Sequence, residues 1–403
     1  MGIFLDIQGI ECGKVFTPKE AVRGVVRLEL DRPTAIFDVT LLLEGLVQTS
    51  LIEKGPAFIL GNDVPKVADE RHQLFKDSRV LFPRPNTPFI ARGYTLPKGQ
   101  YVFPFEVNFP LWADCPTSQH ATRHQETALP PSFDAHAATN GAHAKVAYTL
   151  QAEVTRRSRL RKVISTQQNL NFVAFDPAAA LLSSLGTGCC TGQKVLYTSS
   201  HNSPGCSLTQ LPIMLLEAKL PSPPVLFLRE KLPLQLCVRT LPTRIHHILP
   251  IKVQNLAISL RSMTSITADV HHTSWSSCRK LLDLHGLDEI INCDRERDVL
   301  SEIKPGVIRG VTIPQISPSF TTCTVEHKHS LEVDAAFSLS ELPKLLLVKL
   351  VINVEMLSGN DLEGELYTED GGADGNNIPL RRGCLAHLSV PNSVGREGYP
   401  PPY

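Results

Sequence analysis

Large apolar side chains recur at every second position over several stretches of the chain. Tyr101, Phe103, Phe105, Val107 and Phe109 alternate with Val102, Pro104, Glu106 and Asn108. Val146, Tyr148, Leu150, Ala152 and Val154 alternate with Ala147, Thr149, Gln151 and Glu153. The rhythm returns at Leu232, Leu234, Leu236 and Val238, and again at Val348, Leu350, Ile352, Val354 and Met356. A period of two puts each set on one face of a strand, with the other face toward water. Helical spacing sustained over about a dozen residues is nearly absent. Because an amphipathic sheet must cover its apolar face, strands joined by Pro/Gly-rich connections predict an all-β fold of antiparallel β-sandwiches.

Punctuation divides this pattern. A first sandwich is expected over residues 1–175. From Asp176-Pro177 a stretch rich in Ala, Ser, Gly and Cys, with Gly186, Gly188, Gly192, Ser199, Ser200, Ser203, Pro204 and Gly205, reads as a linker or loop insertion over 176–207. A second sandwich is expected over 208–366, interrupted by a polar insertion at 271–298. Residues 367–403 read as a flexible C-terminal tail.

Composition narrows the class. A chain of 403 residues with 42% hydrophobic content is long enough for separate cores and too apolar for wholesale disorder. The 40 basic and 40 acidic residues cancel, which argues against a polyanion binder, so no nucleic-acid partner is expected. No window holds the ~18 uninterrupted apolar residues of a membrane span; the most apolar stretch, Leu345 to Met356, contains Lys349, Asn353 and Glu355. No secretory signal or acylation motif is readable at the N-terminus. The 10 Cys form no CxxC pair and read as reduced thiols, so a cytoplasmic location is expected.

Several segments together resemble a known family. Val15-Phe16-Thr17-Pro18-Lys19-Glu20, followed by Val22 and Gly24-Val25-Val26-Arg27-Leu28, resembles the opening turn and strand of arrestin N domains. Ile36 to Gly45 resembles the next strand, which ends in a Leu-x-Gly element. Leu96 to Glu106 resembles the L-x-x-G-x-Y-x-F-P-F segment, Leu129-Pro130-Pro131-Ser132-Phe133 the LPxSF box, and Ala147 to Ala152 the V-x-Y-x-L-x-A strand. Pro314 to Val333, with Ser319-Phe320-Thr321, resembles the closing strands of an arrestin C domain, and the final PPPY resembles the α-arrestin subclass. The resemblance implies two tandem immunoglobulin-like antiparallel β-sandwiches. It also implies a non-enzymatic adaptor, recruited to the plasma membrane and endosomes, that links membrane transporters or receptors to a WW-domain HECT-type ubiquitin ligase. The alternative is a structural endosomal sorting scaffold of the retromer arrestin-like type, without ligase recruitment.

The recruiting elements are specific. Pro400-Pro401-Pro402-Tyr403 fits PPxY: the prolines hold the backbone near polyproline II, so Pro400, Pro401 and Tyr403 can dock on a WW domain with little entropy left to lose. Arg156, Arg157, Arg159, Arg161 and Lys162 fall between two strands, and a hairpin tip there would present five cations to acidic cytoplasmic segments of cargo or to anionic lipid in a peripheral membrane contact. An acidic run, Asp361 to Asp374, precedes the tail; its expected role is solvation, and it could mask the basic hairpin.

Other candidates carry less. Cys323, His327 and His329 share a strand face, but i and i+2 side chains stand ~7 Å apart and no fourth ligand has recognisable spacing, so partly buried strand positions are expected rather than a metal site. His246-His247 and His271-His272 read as loop residues. Gly186 to Gly192 lacks the strand, helix and Gly-Lys-Ser/Thr ending of a nucleotide loop and reads as linker. No catalytic motif, metal or cofactor is expected.

Overall fold

The computed structural model describes residues 3–18, 20–53, 66–85, 87–88, 90, 93–113, 127–138, 141–156, 163–174, 188–196, 214–240, 251–291, 299–339 and 345–358. The N-terminal half begins with β1 (Ile3–Gln8), β2 (Val15–Phe16), β3 (Ala21–Leu30), β4 (Thr34–Glu53) and β5 (Lys66–Phe82). It continues through β6 (Tyr94–Leu96), β7 (Gly99–Asn108), β8 (Trp112–Ala113), β9 (Thr127–Ala128), β10 (Phe133–His136), β11 (His143–Arg156) and β12 (Ile164–Phe172). One sheet has the order β1-β3-β7 and faces a second with the order β2-β12-β11-β4-β5, which also carries β6 and β10.

The alternating residues explain this packing. On β7, Tyr101, Phe103, Phe105, Val107 and the following Phe109 are buried, whereas Val102 remains 45% exposed. On β11, Val146, Tyr148, Leu150, Ala152 and Val154 are buried. Two family-motif glycines sit where rings or backbone press on the strand. A Cβ at Gly45 would lie 2.8 Å from Phe75 and 2.9 Å from Tyr148. One at Gly24 would lie 2.5 Å from the carbonyl oxygen of Gln8 and 2.7 Å from the Phe105 ring. Phe109 fixes the end of the core, with ring centroids 4.6 Å from Phe172 and 5.5 Å from Tyr148.

The C-terminal half contains β13 (Gly188–Leu196), β14 (Met214–Ser222), β15 (Val225–Phe227), β16 (Gln235–Thr240), β17 (Ile251–Ala268) and β18 (His271–Ile291). Then come β19 (Val299–Glu302), the short helix α1 (Pro305–Ile308), β20 (Phe320–Thr321), β21 (Val325–Leu339) and β22 (Leu346–Leu357). The sheet β13-β14-β16-β19 faces β15-β22-β21-β17-β18, with β20 beside β21. Leu232, Leu234, Leu236 and Val238 meet Val348, Leu350, Ile352, Val354 and Met356 in one core. The fold is therefore all-β, as the alternation predicts.

The two halves repeat one topology. The path β2-β12-β11-β4-β5 corresponds to β15-β22-β21-β17-β18. In each, a short strand runs parallel to the last long one: Phe16 pairs with Phe172, and Leu226 with Met356. In each, another short strand (β10 or β20) pairs with the strand that follows it.

Three sequence expectations are corrected. The linker expected over 176–207 contains β13, which pairs antiparallel with β14 from Gly188↔Ser222 to Leu196↔Met214, so Gly188 to Gly192 belong to a sheet. The polar insertion expected at 271–298 contains β18, a 21-residue strand paired along β17. His271 and His272 lie on that strand rather than in a loop.

Candidate functional site

The Leu129 to Phe133 box shows how a short motif can join two domains. Leu129, Pro130, Pro131 and Phe133 are buried. The Tyr148 hydroxyl donates to the Pro130 carbonyl at 2.5 Å, and burial pushes this phenol well above its ordinary pKa, so it remains a neutral donor. The Ser132 N–H donates to the Phe172 carbonyl at 2.7 Å, and its Oγ accepts from the Phe172 N–H at 2.9 Å. Ser132 thus satisfies both backbone groups at the end of β12, where no further strand residue can.

Pro318-Ser319-Phe320 repeats the device in the second half. The Ser319 N–H donates to the Met356 carbonyl at 2.8 Å, and its Oγ accepts from the Met356 N–H at 3.0 Å. Phe172 and Met356 occupy corresponding ladder positions, beside the parallel strands β2 and β15. The phenylalanines that follow the two serines meet across the domain boundary, their ring centroids 5.0 Å apart in an edge-on arrangement. His327 packs on both, 4.8 Å from Phe133 and 5.8 Å from Phe320.

Polar groups reinforce this junction. His327 Nδ1 is 2.9 Å from Thr264 Oγ1, and His329 Nδ1 is 3.0 Å from Ser319 Oγ. Burial lowers His327 to about 4. Burial, with the neighbouring His327, lowers His329 to about 3. Both imidazoles are therefore neutral at pH 7, and the hydroxyls can donate to their Nδ1 atoms. Nearby, the Glu70 carboxylate accepts from His72 Nε2 at 2.5 Å and from the Asp269 N–H at 2.7 Å, while Thr49 Oγ1 donates to the Thr267 carbonyl at 3.1 Å. Ser358 Oγ donates to the Ala174 carbonyl at 2.7 Å. Ile266, Ala268 and Val325 of the second half are buried in the first half's core, with Trp275 and Phe320 packed against it.

The Ser319–His329 contact has the distance of a nucleophile and its base, but its surroundings make it structural. A base held near 3 takes up a hydroxyl proton poorly at neutral pH. Ser132 performs the same backbone pairing at the corresponding position of the first half. Cys323 lies in the turn before β21 rather than on its face, and His327 and His329 are buried, at 6% and 3% exposure.

The residues expected from the sequence to recruit partners are placed only in part. Arg156 is the last residue of β11, where the pairing with β4 shifts register to meet Ile36. Val154 lies opposite Ile164, so the segment between them joins antiparallel neighbours. Arg157, Arg159, Arg161 and Lys162 lie outside the described residues, as do Pro400, Pro401, Tyr403, the acidic run and His246-His247. The junction itself was not apparent in the sequence, although the repeated Pro-Ser-Phe at 131–133 and 318–320 was a signal that could have revealed it.

Residues 5–171 match the family of the arrestin (or S-antigen) N-terminal domain. A curated protein of Lachancea thermotolerans, arrestin-related trafficking adapter 10, is 29% identical over 144 residues, covering 30% of this chain and 32% of that protein. The chain thus matches about a third of the length of this relative. Over residues 5–171 the chain is therefore similar to arrestin N-terminal domains, and its second sandwich repeats the topology of that first one.

Proposed function

We propose that this protein is a non-enzymatic trafficking adaptor that brings a WW-domain HECT-type ubiquitin ligase to membrane cargo. The observation that carries the reading is Pro400-Pro401-Pro402-Tyr403 on a chain with an arrestin N-terminal domain. The prolines pre-order an extended segment for the aromatic groove of a WW domain, and the tyrosine ring fills a second pocket. The Lachancea relative is named as a trafficking adapter, which supports the same direction. The reading places the protein in the cytoplasm and has cargo supply its contact with the plasma membrane or endosomes; among the described residues no helix is long and apolar enough to cross a membrane.

In this mechanism the ligase does the chemistry and the adaptor supplies proximity. Arg156, Arg157, Arg159, Arg161 and Lys162 would attract acidic cytoplasmic segments of a transporter or receptor, or the anionic lipid around it. On this reading the basic segment recognises cargo while the PPxY segment binds the ligase. Immobilised WW domains test the ligase half. They should capture the full chain and fail to capture Tyr403→Ala; capture that survives the substitution, or never occurs, would favour a sorting scaffold instead.

A further inference from the structure

We infer that Asp134, His136 and His143 form a binding site for a divalent transition-metal ion, with zinc the best match to the ligand chemistry. The three residues come from the hairpin of β10 and β11. Asp134 and His136 are two apart on β10 and share a face, and the pairing sets His143 directly opposite His136. Directly opposed strand residues have Cβ atoms about 5 Å apart, close enough for two imidazoles to reach one ion.

Their ligand atoms already converge. His143 Nε2 is 2.9 Å and His136 Nε2 3.3 Å from the same oxygen, Asp134 Oδ1. All three ligand atoms lie within 4.8 Å of one another. Zinc–nitrogen and zinc–oxygen bonds of about 2.0–2.1 Å make the edge of a tetrahedral site about 3.3 Å, so both carboxylate–imidazole separations are close to that edge. The other carboxylate oxygen, Oδ2, is 3.9 Å from Lys145 Nζ, which helps keep Oδ1 turned toward the histidines.

The imidazoles stack with centroids 3.9 Å apart and planes 1° from parallel. A single ion cannot lie in both parallel planes, so binding turns the rings toward each other. The side chains have room to turn, being 71% exposed at His136 and 26% at His143. Two imidazoles and a carboxylate suit zinc among the biological divalent ions, whereas magnesium and calcium prefer oxygen alone. Three protein ligands leave a fourth position for water or for a donor from a partner. The site adjoins the domain junction, because Phe133, the residue before Asp134, is the one that packs on Phe320 and His327. Sequence spacing hides the trio: His136 and His143 are seven residues apart, and only the hairpin brings them together.

Cobalt(II) titration of the full chain, followed by displacement with zinc, tests the site. Wild type should show d–d absorption without thiolate-to-cobalt charge transfer, and stoichiometric zinc should abolish the signal and raise the melting temperature. His136→Gln and His143→Gln should melt like wild type without metal, lose the cobalt signal and bind zinc at least about tenfold more weakly. A cobalt signal dominated by thiolate charge transfer, a zinc response unchanged in both variants, or no response in wild type would each overturn the assignment. Should His143→Gln fail to fold, the more exposed His136→Gln and Asp134→Asn decide the matter by the same readouts.

Discussion

Lowering the pH from 7.5 to 5 should loosen the domain junction through His327 and His329. An unfolded histidine titrates near 6.5, whereas burial lowers these two to about 4 and about 3. Between the unfolded and folded values the unfolded chain binds more protons, so stability falls as the pH falls. The contribution is fully present above about pH 6.5 and declines by ~1.4 kcal/mol per pH unit below it, until the folded values are reached. At pH 5 this amounts to about 2 kcal/mol for each histidine, or about 4 kcal/mol for the pair if the two rings act independently. Because both folded values lie below pH 5, the figure is set mainly by the unfolded pKa. Trp275, packed against the first half's core from the second, reports the junction, whereas Trp112 is 55% exposed. Urea unfolding followed by tryptophan fluorescence at pH 7.5 and 5 would compare wild type with the double variant His327→Gln and His329→Gln. The other ionisable groups, including the buried Glu70–His72 pair, remain in both proteins, so their effects largely cancel in the comparison. Wild type should lose about 4 kcal/mol more than the variant over this range. An equal loss in the two proteins would refute the reasoning, because the acid sensitivity would then come from elsewhere.

Three further outcomes follow from the packing and the charge pattern. Gly45→Ala drives a methyl into Phe75 and Tyr148 and should cost about 1–3 kcal/mol, read as a lower thermal midpoint; an unchanged midpoint would mean the rings give way freely. Ser132→Ala and Ser319→Ala each leave a strand-end N–H without its acceptor and should each cost about 1–3 kcal/mol in urea unfolding, by similar amounts if the repeated device is equivalent in the two halves. Reversing charge at Arg157 and Arg159 should reduce membrane recruitment in cell fractionation while leaving the melting curve unchanged, and unaltered recruitment would remove the basic segment from the mechanism.

Period-two alternation made the core strands legible because both sandwiches bury one face of each sheet. The strands that escaped notice are those whose sequences show no sustained apolar alternation. β18 carries three Ser, three His and two Asp and is held by backbone pairing to β17 at the edge of its sheet, so no long apolar period marks it. β13 is glycine- and cysteine-rich, and no apolar period marks it. The family glycines were visible as letters, but the reason for Gly24 and Gly45 appears only where Gln8, Phe105, Phe75 and Tyr148 close around them. The same holds for the junction and the metal trio. Phe133 meets Phe320, and His136 meets His143, through pairings that join positions distant along the chain or separated by a turn. The PPxY segment stands at the other extreme. Its chemistry lies in consecutive residues, so the sequence alone presents it.

The central claim, that this chain recruits a ubiquitin ligase through PPPY, is tested most directly by titrating the purified WW domains of a HECT-type ligase into the full chain. Wild type should bind at one site. Tyr403→Ala removes the ring that anchors the contact, and loss of such an aromatic anchor costs about 2 kcal/mol or more, roughly 30-fold in affinity. Pro401→Ala should weaken binding in the same direction. Equal affinity for wild type and Tyr403→Ala, or no binding by either, would contradict the account.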